Sequence, residues 1–367
     1  MSRYPAIVKI TIILFFLILL IFALMEARNF LYPIFFAILL AYLLYPLASF
    51  LEKHQVPRIL ANLISIILGI VIIAGAVFFV YSQIRIFVED FPTLRRQALA
   101  NVDTLEKWIE ETFGVSSREQ HEWVRDRISE FFESGAKFFG DAFTATTSTL
   151  AKAGLMPVYV FFMLYYRNKF KEFILQLVPN EKHQKTEKIL SDVSFVTERY
   201  MGGVFVVVLI LCILNSIGLM IVGLKYAILL GVISALFNFI PYFGTLIGGI
   251  VPLFYTLVIS PHPEKAVGVI IFFIIIQFTE NNILTPNITG GNVQLNPFIT
   301  ILSIIVGGMI WGIPGMFLIV PFLAMFKIFC EYVDGMQPYA FLLGTRGTER
   351  HAINKEKVMI WFKKIRK

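Results

Sequence analysis

The sequence predicts an all-α polytopic membrane protein, and three observations carry that prediction. Hydrophobic residues make up 57% of the chain and the mean hydropathy is +0.75, values that exclude an ordinary soluble globule. Uncharged apolar runs long enough to cross a bilayer recur along the chain. Between Lys225 and Lys327 only Glu264, Lys265 and Glu280 are charged, so nearly all of this stretch must lie in lipid or in protein buried within lipid.

About six single spans are predicted from the uncharged runs. The first follows Arg3 and Lys9 and resembles a secretory signal, but no small-x-small cleavage site follows it, so a retained helix is expected. The fourth is the weakest, because its uncharged part covers only 153–166 and needs the small polar residues before it to cross. The spans are predicted at 10–25, 29–51, 59–84, 144–166, 200–224 and 266–283.

Two further uncharged runs are too long to be single straight spans. They contain 38 residues (226–263) and 46 residues (281–326), which as helices would reach roughly 57 and 69 Å across a hydrocarbon core of about 30 Å. Each contains a proline and glycines that break a helix, at 238–244 and at 311–315. Each run is therefore predicted to be a broken helical hairpin, re-entrant or fully spanning. Bent backbone at membrane depth must face protein or a water-filled cavity, which indicates a transport pathway.

Charge divides the chain into five predicted segments. Residues 85–149 contain twelve acidic and eight basic residues with apolar positions at helical spacing, which predicts a small amphipathic helical domain outside the bilayer. Residues 167–199 and the tail after Asp334 are basic, which favours the cytoplasm. The segments are the N-terminal spans 1–84, the extracytoplasmic insert 85–149, the fourth span with a cytoplasmic interfacial helix 150–199, the transport core 200–333 and the basic cytoplasmic tail 334–367.

The number of crossings is consistent with this charge pattern. With a cytoplasmic N-terminus, three crossings place the insert outside, the fourth returns 167–199 to the inside, and the C-terminus also ends inside. The span-plus-hairpin units 200–260 and 266–326 then enter the membrane from opposite sides. Inverted-repeat transporters have this topology and bind substrate near the midplane between their broken segments.

Several other classes of site are not supported by the sequence. The two cysteines, Cys212 and Cys330, lie in or beside apolar segments, which argues against a disulfide framework and a cysteine metal site. His121 and Glu122 begin like a zinc-protease helix, but Arg125 stands where the second histidine is needed. No Gly-Lys dipeptide occurs, so a Walker A loop is absent. The net charge of +7 is attributed to membrane orientation and not to nucleic-acid binding.

Glu280 is the main candidate for a functional side chain, because it is the sole carboxylate between Lys265 and Lys327. An ionisable group inside a membrane segment is costly and often functional, and here it could carry a proton or a cation. It could instead lie at the inner water interface and orient the polar linker predicted at 284–297. Six more polar residues could line a solute or ion pathway, or could form ordinary linker contacts and interhelical hydrogen bonds: Asn281, Asn282, Thr285, Asn287, Asn238 and Asn215.

Three segments, at 237–244, 280–290 and 307–321, resemble the AI-2E family of bacterial transporters, also called the autoinducer-2 exporter family, which includes PerM-like permeases. The similar layout extends over nearly the whole chain, including the large insert after the third span. Pro314, beside Gly315 in the second tip, departs from the family pattern and is expected to stiffen that tip. The resemblance implies that hairpin tips and hinges lie at Pro241, Gly244, Pro286, Gly290, Gly312 and Pro321.

The resemblance also implies a secondary transporter, which is not an enzyme and needs no cofactor, and it implies homo-oligomeric assembly. Some members are associated with export of autoinducer-2, a small polyhydroxylated quorum-sensing signal, and others with exchange of Na⁺ or Li⁺ for H⁺. The leading hypothesis is export of a small polar solute such as autoinducer-2 across the bacterial inner membrane by alternating access. Na⁺(Li⁺)/H⁺ antiport is the alternative, and a non-transporting membrane scaffold whose insert binds a partner is a hypothesis of another class.

Overall fold

The computed structural model describes residues 5–101, 153–241, 243–260, 262–289 and 295–347, together with a few positions between 126 and 137. All regular elements in these ranges are helical, which confirms the predicted all-α class. Most of the predicted insert and the end of the basic tail lie outside the described residues. The described helices are α1 (Ala6–Glu26), α2 (Arg28–Lys53), α3 (Arg58–Glu89), α4 (91–101), α5 (Met156–Tyr165), α6 (Arg167–Gln176), α7 (His183–Val222), α8 (Ala227–Phe237), α9 (Phe243–Ile259), α10 (Pro263–Thr279), α11 (Thr285–Thr289), α12 (Pro297–Trp311), α13 (Ile313–Tyr332) and α14 (Gln337–Leu343).

Six helices in the described part of the chain are long and apolar enough to cross a membrane, so the protein is a multi-pass membrane protein. Five of them overlap predicted single spans, and the sixth is the second arm of the second predicted hairpin. The predicted fourth span is described only as the ten-residue helix α5, because 144–152 lies outside the described residues. The six helices are Ile7–Glu26, Arg28–Lys53, Arg58–Glu89, Asn180–Val222, Glu264–Thr289 and Ile313–Tyr332.

The chain divides into two compact units. The first contains Met1–Phe170 and Glu198–Gly291, and the second contains Lys171–Thr197 and Asn292–Lys367. The first predicted hairpin therefore belongs to the first unit and most of the second predicted hairpin to the second unit. The candidate site described below lies wholly within the first unit.

The first hairpin consists of α8 and α9, which pack against each other in the first unit. Helix α8 ends at Phe237 and α9 begins at Phe243, so the chain breaks where the bent tip was predicted. Proline at position 241 has no backbone N–H and cannot continue the helical ladder. The Gly244 N–H then donates to the Ile240 carbonyl at 2.9 Å and restarts the helix.

The second hairpin consists of α12 and α13, which are joined directly at Gly312 in the second unit. Gly312 has φ of +65°, in the left-handed region that a residue with a Cβ rarely adopts. Gly307 and Gly315 bring the two helices into backbone contact, because a Cβ on Gly307 would lie 2.6 Å from the Gly315 carbonyl oxygen. Pro314 lies in the first turn of α13, where a missing N–H costs no helical hydrogen bond.

The first residues after α3 pack against the ends of the first unit's helices. Leu94 and Ala98 of α4 are buried in a cluster with Leu219 of α7 and Leu229 of α8. The Asn101 amide also donates to the backbone carbonyl of Val258 in α9 at 3.1 Å. The beginning of the predicted insert is therefore part of the packed core of this unit.

Asp90 connects the end of α3 to the start of the first hairpin. Lys225 Nζ donates to Asp90 Oδ2 at 2.6 Å, and the Tyr226 hydroxyl donates to the same oxygen. The hydrogen bond from Lys225, followed by the one from Tyr226, holds the pKa of Asp90 below its ordinary value of 3.8. The charged form of Asp90 is therefore the form that the folded protein stabilises.

We expect Asp90→Asn to lower the melting temperature near neutral pH, because the asparagine loses the charge that pairs with Lys225. A carboxyl group with a lowered pKa stabilises the folded protein at pH values above its ordinary pKa. This stabilisation is lost as the pH falls through the lowered pKa. The difference in melting temperature between wild type and variant should therefore become smaller below pH 3.8. Thermal unfolding in detergent at stepped pH measures this, and a difference that stays constant across the acid range contradicts the prediction.

Candidate functional site

Glu280 begins a π-helical turn, Glu280–Leu284, that joins α10 to α11. The Thr285 N–H donates to the Glu280 carbonyl five residues earlier, which widens the helix locally. Pro286 accounts for this widening, because it has no N–H for the carbonyl four residues earlier and its ring would collide with that carbonyl. The prediction that a polar linker begins at 284 was wrong, because the helix continues to Thr289. Single π turns within helices are frequent at functional sites.

Glu280 lines a small cavity inside the first unit. The cavity has a volume of about 10 Å³, which is about what one water molecule needs. Four helices and the first hairpin tip contribute its wall. The lining residues are Leu211 and Asn215 of α7, Ser234 of α8, Asn238 at the hairpin tip, Gly244 and Gly248 of α9, Phe273, Ile276 and Gln277 of α10, and Glu280.

The Glu280 carboxylate has one neutral hydrogen-bond donor in the cavity wall. Asn238 Nδ2 donates to Glu280 Oε2 at 3.3 Å. Among the described residues, no cationic side chain pairs with this carboxylate. A half-buried carboxylate without a cationic partner is costly, and a proton or a bound cation would reduce that cost.

Two amide oxygens at the same cavity have no hydrogen-bond donor among the residues that the structure describes. They are Oδ1 of Asn215 and Oδ1 of Asn238, and both atoms are buried. Asn215 is only 2% exposed. An unpaired buried carbonyl oxygen costs about 1–3 kcal/mol, which a water molecule can offset by donating a hydrogen bond to the oxygen and a cation by binding its lone pair. One carboxylate and two unpaired amide oxygens therefore line a cavity that is large enough for one water molecule or one small cation.

The structure brings together three of the predicted pathway residues, Glu280, Asn238 and Asn215, with the predicted hinge Gly244. Asn281 and Asn282 are exposed, and the Asn282 amide donates to the carbonyl of Phe278 on its own helix at 2.8 Å. The remaining predicted residues that the structure describes do not line the cavity. Thr285 is half-buried, Pro286 and Asn287 are exposed, Gly290 lies outside the described residues, and Gly312, Pro314, Gly315 and Pro321 belong to the second unit.

Two polar residues of the cavity, Ser234 and Gln277, were missed as site residues from the sequence. Ser234 precedes Asn238 by four positions, and Gln277 precedes Glu280 by three, so each shares a helical face with a predicted residue. The Ser234 hydroxyl lies 2.7 Å from the Leu230 carbonyl and 2.5 Å from the Gly248 carbonyl. Helical spacing around the predicted polar residues was therefore the signal that could have identified them.

Close glycine contacts position the polar side chains. A Cβ on Gly231 of α8 would lie 2.7 Å from the Cα of Ser216, the residue after Asn215. A Cβ on Gly248 of α9 would lie 2.7 Å from the Ser234 carbonyl oxygen. Small residues let membrane helices approach this closely. Without them α7, α8 and α9 could not bring Asn215 and Asn238 to one cavity.

The fold and the site define a multi-pass helical membrane protein with a carboxylate and amides gathered inside its spans, an arrangement typical of transport proteins. Among the residues that the structure describes, no group of three or more His, Cys, Asp or Glu side chains is placed to hold a metal ion. The profile described as AI-2E family transporter matches residues 10–335. The chain belongs to this family, as its motifs predicted.

Three relatives illustrate the range of similarity. YrrI and YueF of Bacillus subtilis (strain 168) are both named as proposed transport proteins. YrrI is 27% identical over 303 residues, covering 81% of this chain and 84% of the relative. YueF is 28% identical over 323 residues, covering 82% and 84%. The AI-2 transport protein TqsA of Escherichia coli (strain K12) is 24% identical over 349 residues, covering 93% and 97%.

Proposed function

We propose that this protein is a secondary transporter in which Glu280 binds and releases a proton or a small monovalent cation. The observation that carries this proposal is the meeting of the Glu280 carboxylate with two unpaired amide oxygens at a cavity of one-water size. Family membership supports transport, and the geometry supports a cation as the species bound at this site.

The chemistry of the cavity favours a cation over a neutral solute. The buried polar atoms in its lining that have no partner in the described part of the chain are the amide oxygens of Asn215 and Asn238, and hard cations prefer oxygen ligands. A proton on Glu280 and a cation beside the ionised carboxylate would each neutralise the same half-buried charge, so only one of them is needed at a time. Competition of this kind is the basis of exchange between a cation and H⁺. A polyhydroxylated solute would need a cavity much larger than the observed volume of about 10 Å³.

Export of autoinducer-2 is the second candidate, because one relative that spans nearly the whole chain is named an AI-2 transport protein. Amide side chains suit hydroxyl groups as well as cations, and a different conformation would have to open the cavity. We propose alternating access for either substrate, with the backbone breaks near Pro241 and Gly312 as hinges. We further propose a homo-oligomer in the bacterial inner membrane with both termini in the cytoplasm.

Flux in proteoliposomes tests the proposed function. A Na⁺ or Li⁺ gradient should change the internal pH of vesicles that contain the wild-type protein, and protein-free vesicles should not respond. Saturable flux of labelled autoinducer-2 without any cation-dependent proton movement would replace the cation proposal with the solute proposal. Absence of both fluxes would favour the scaffold hypothesis.

A further inference from the structure

The second unit has a larger cleft that the proposed transport site does not use. It lies between the end of α13 and α14 and has a volume of about 360 Å³, within the range of sites for small ligands. Its charged and polar lining includes Lys327, Glu331, Gln337 and Arg346. Two cationic side chains and one carboxylate give the lining an excess of positive charge.

The two cationic side chains of the cleft differ in their exposure. The Lys327 side chain is 14% exposed, and its Nζ lies 3.2 Å from Glu331 Oε1 one helical turn along α13. Arg346 is exposed at the other side of the cleft. The guanidinium of arginine presents donors in a planar fork that fits phosphate oxygens. An anion in the cleft would therefore meet Arg346 directly and share Lys327 with Glu331.

The wall that carries Arg346 is held in place by backbone contacts. The Asn296 N–H donates to the Leu343 carbonyl at 2.7 Å, and Leu295 forms an isolated bridge with Gly344. The Lys327 stem lies against this wall, since a Cβ on Gly344 would be 3.3 Å from Lys327 Cε. The cleft is thus a preformed cavity within the second unit.

The cleft lies beside the end of a helix that is long and apolar enough to span a membrane. Helix α13 is long and apolar enough to span a membrane and ends at Tyr332, five residues before α14 begins. Helix α14 buries Ala340 and Leu343 but exposes Tyr339, Phe341 and Leu342 by 57–59%. Tyrosine and apolar side chains exposed together on a short helix are typical of the membrane interface. A ligand in this cleft can therefore have its headgroup in the cleft and its acyl chains beside Phe341 and Leu342.

We propose that this cleft binds the phosphate of an anionic phospholipid headgroup. Arg346 and Lys327 hold the phosphate oxygens, Gln337 contributes an amide at the rim, and the apolar face of α14 contacts the acyl chains. Basic pockets beside membrane helices bind anionic headgroups in this way. Lipid bound there would fasten the end of α13, the second arm of the second hairpin, to the bilayer surface.

Binding of a fluorescent phosphatidylglycerol to the purified full-length protein in detergent tests the proposal. Arg346→Gln should weaken binding about tenfold, because charge-assisted hydrogen bonds are lost, and Arg346→Lys should retain part of it. Glu331→Gln should strengthen binding, since it frees Lys327. The matched control is Lys182→Gln, an exposed lysine of the same unit outside the cleft, which should leave binding within about twofold of wild type.

Competition experiments distinguish a lipid from other ligands. Unlabelled phosphatidylglycerol should displace the probe, whereas phosphatidylcholine and inorganic phosphate should do so only at much higher concentrations. Equal displacement by inorganic phosphate would mean that the cleft binds a free anion and would overturn the lipid proposal. Equal displacement by phosphatidylcholine, or wild-type binding by Arg346→Gln, would also overturn it.

Discussion

Replacing Glu280 with glutamine is expected to abolish cation-dependent proton movement in proteoliposomes. Glutamine keeps the size of the side chain and an oxygen that can accept from Asn238, but it cannot exchange a proton or carry a charge. Loss of the charged ligand should weaken cation binding by about ten- to a hundredfold. Proton flux driven by Na⁺ or Li⁺ should fall to the level of protein-free vesicles.

Glu264→Gln is the matched control, because it makes the same chemical change in the first turn of the same helix. The Glu264 side chain is 71% exposed and lies 3.0 Å from His262, outside the cavity. This variant should transport like the wild type. Exchange that survives in Glu280→Gln would remove Glu280 from the transport mechanism, and the group that exchanges the proton would then lie elsewhere in the protein.

Thermal stability separates this role of Glu280 from a purely structural one. A half-buried carboxylate without a cationic partner does not stabilise the fold, so Glu280→Gln should melt at the same temperature as the wild type or higher. A structural capping role would predict the opposite. Added Na⁺ or Li⁺ should raise the melting temperature of the wild type, as a ligand of the folded state does, and should not raise that of the variant.

The spans and the breaks between them could be predicted because both depend on local sequence. The length of an uncharged run sets whether a helix can cross, and the prolines and glycines at 238–244 and 311–315 set where it must bend. The inverted relation of the two hairpin units rests on weak sequence similarity and stays a prediction. The same holds for the insert 85–149, which lies mostly outside the described residues.

The candidate site was only partly predictable because its members come from separate helices. Glu280 was identified from its charge, but the polar neighbours that follow it in the sequence, Asn281 and Asn282, are exposed and do not line the cavity. Asn238 contacts Glu280 across 42 positions of the chain. That pairing depends on how closely the helices pack, which in turn depends on glycines whose contacts the sequence does not specify.

Gly231→Ala is expected to destabilise the helix packing beside the site. The added Cβ would overlap the backbone of Ser216, so α8 would have to move away from α7. Overpacking of this kind costs about 1–3 kcal/mol, and the better helix propensity of alanine returns at most about 1 kcal/mol. The apparent melting temperature in detergent should therefore fall. Gly75→Ala in α3 is the matched control, because nothing lies within 4 Å of its added Cβ.

The same displacement should affect the site more than it affects the fold. Ser216 follows Asn215, so moving α8 away from this contact separates the Asn215 oxygen from the Asn238 oxygen across the cavity. Gly231→Ala should then lose the stabilisation by Na⁺ or Li⁺ at temperatures where it is still folded, whereas Gly75→Ala should retain it. Stabilisation by cations that survives in Gly231→Ala would show that these two amide oxygens do not act together, and the cation site would then consist of Glu280 and Asn238 without Asn215.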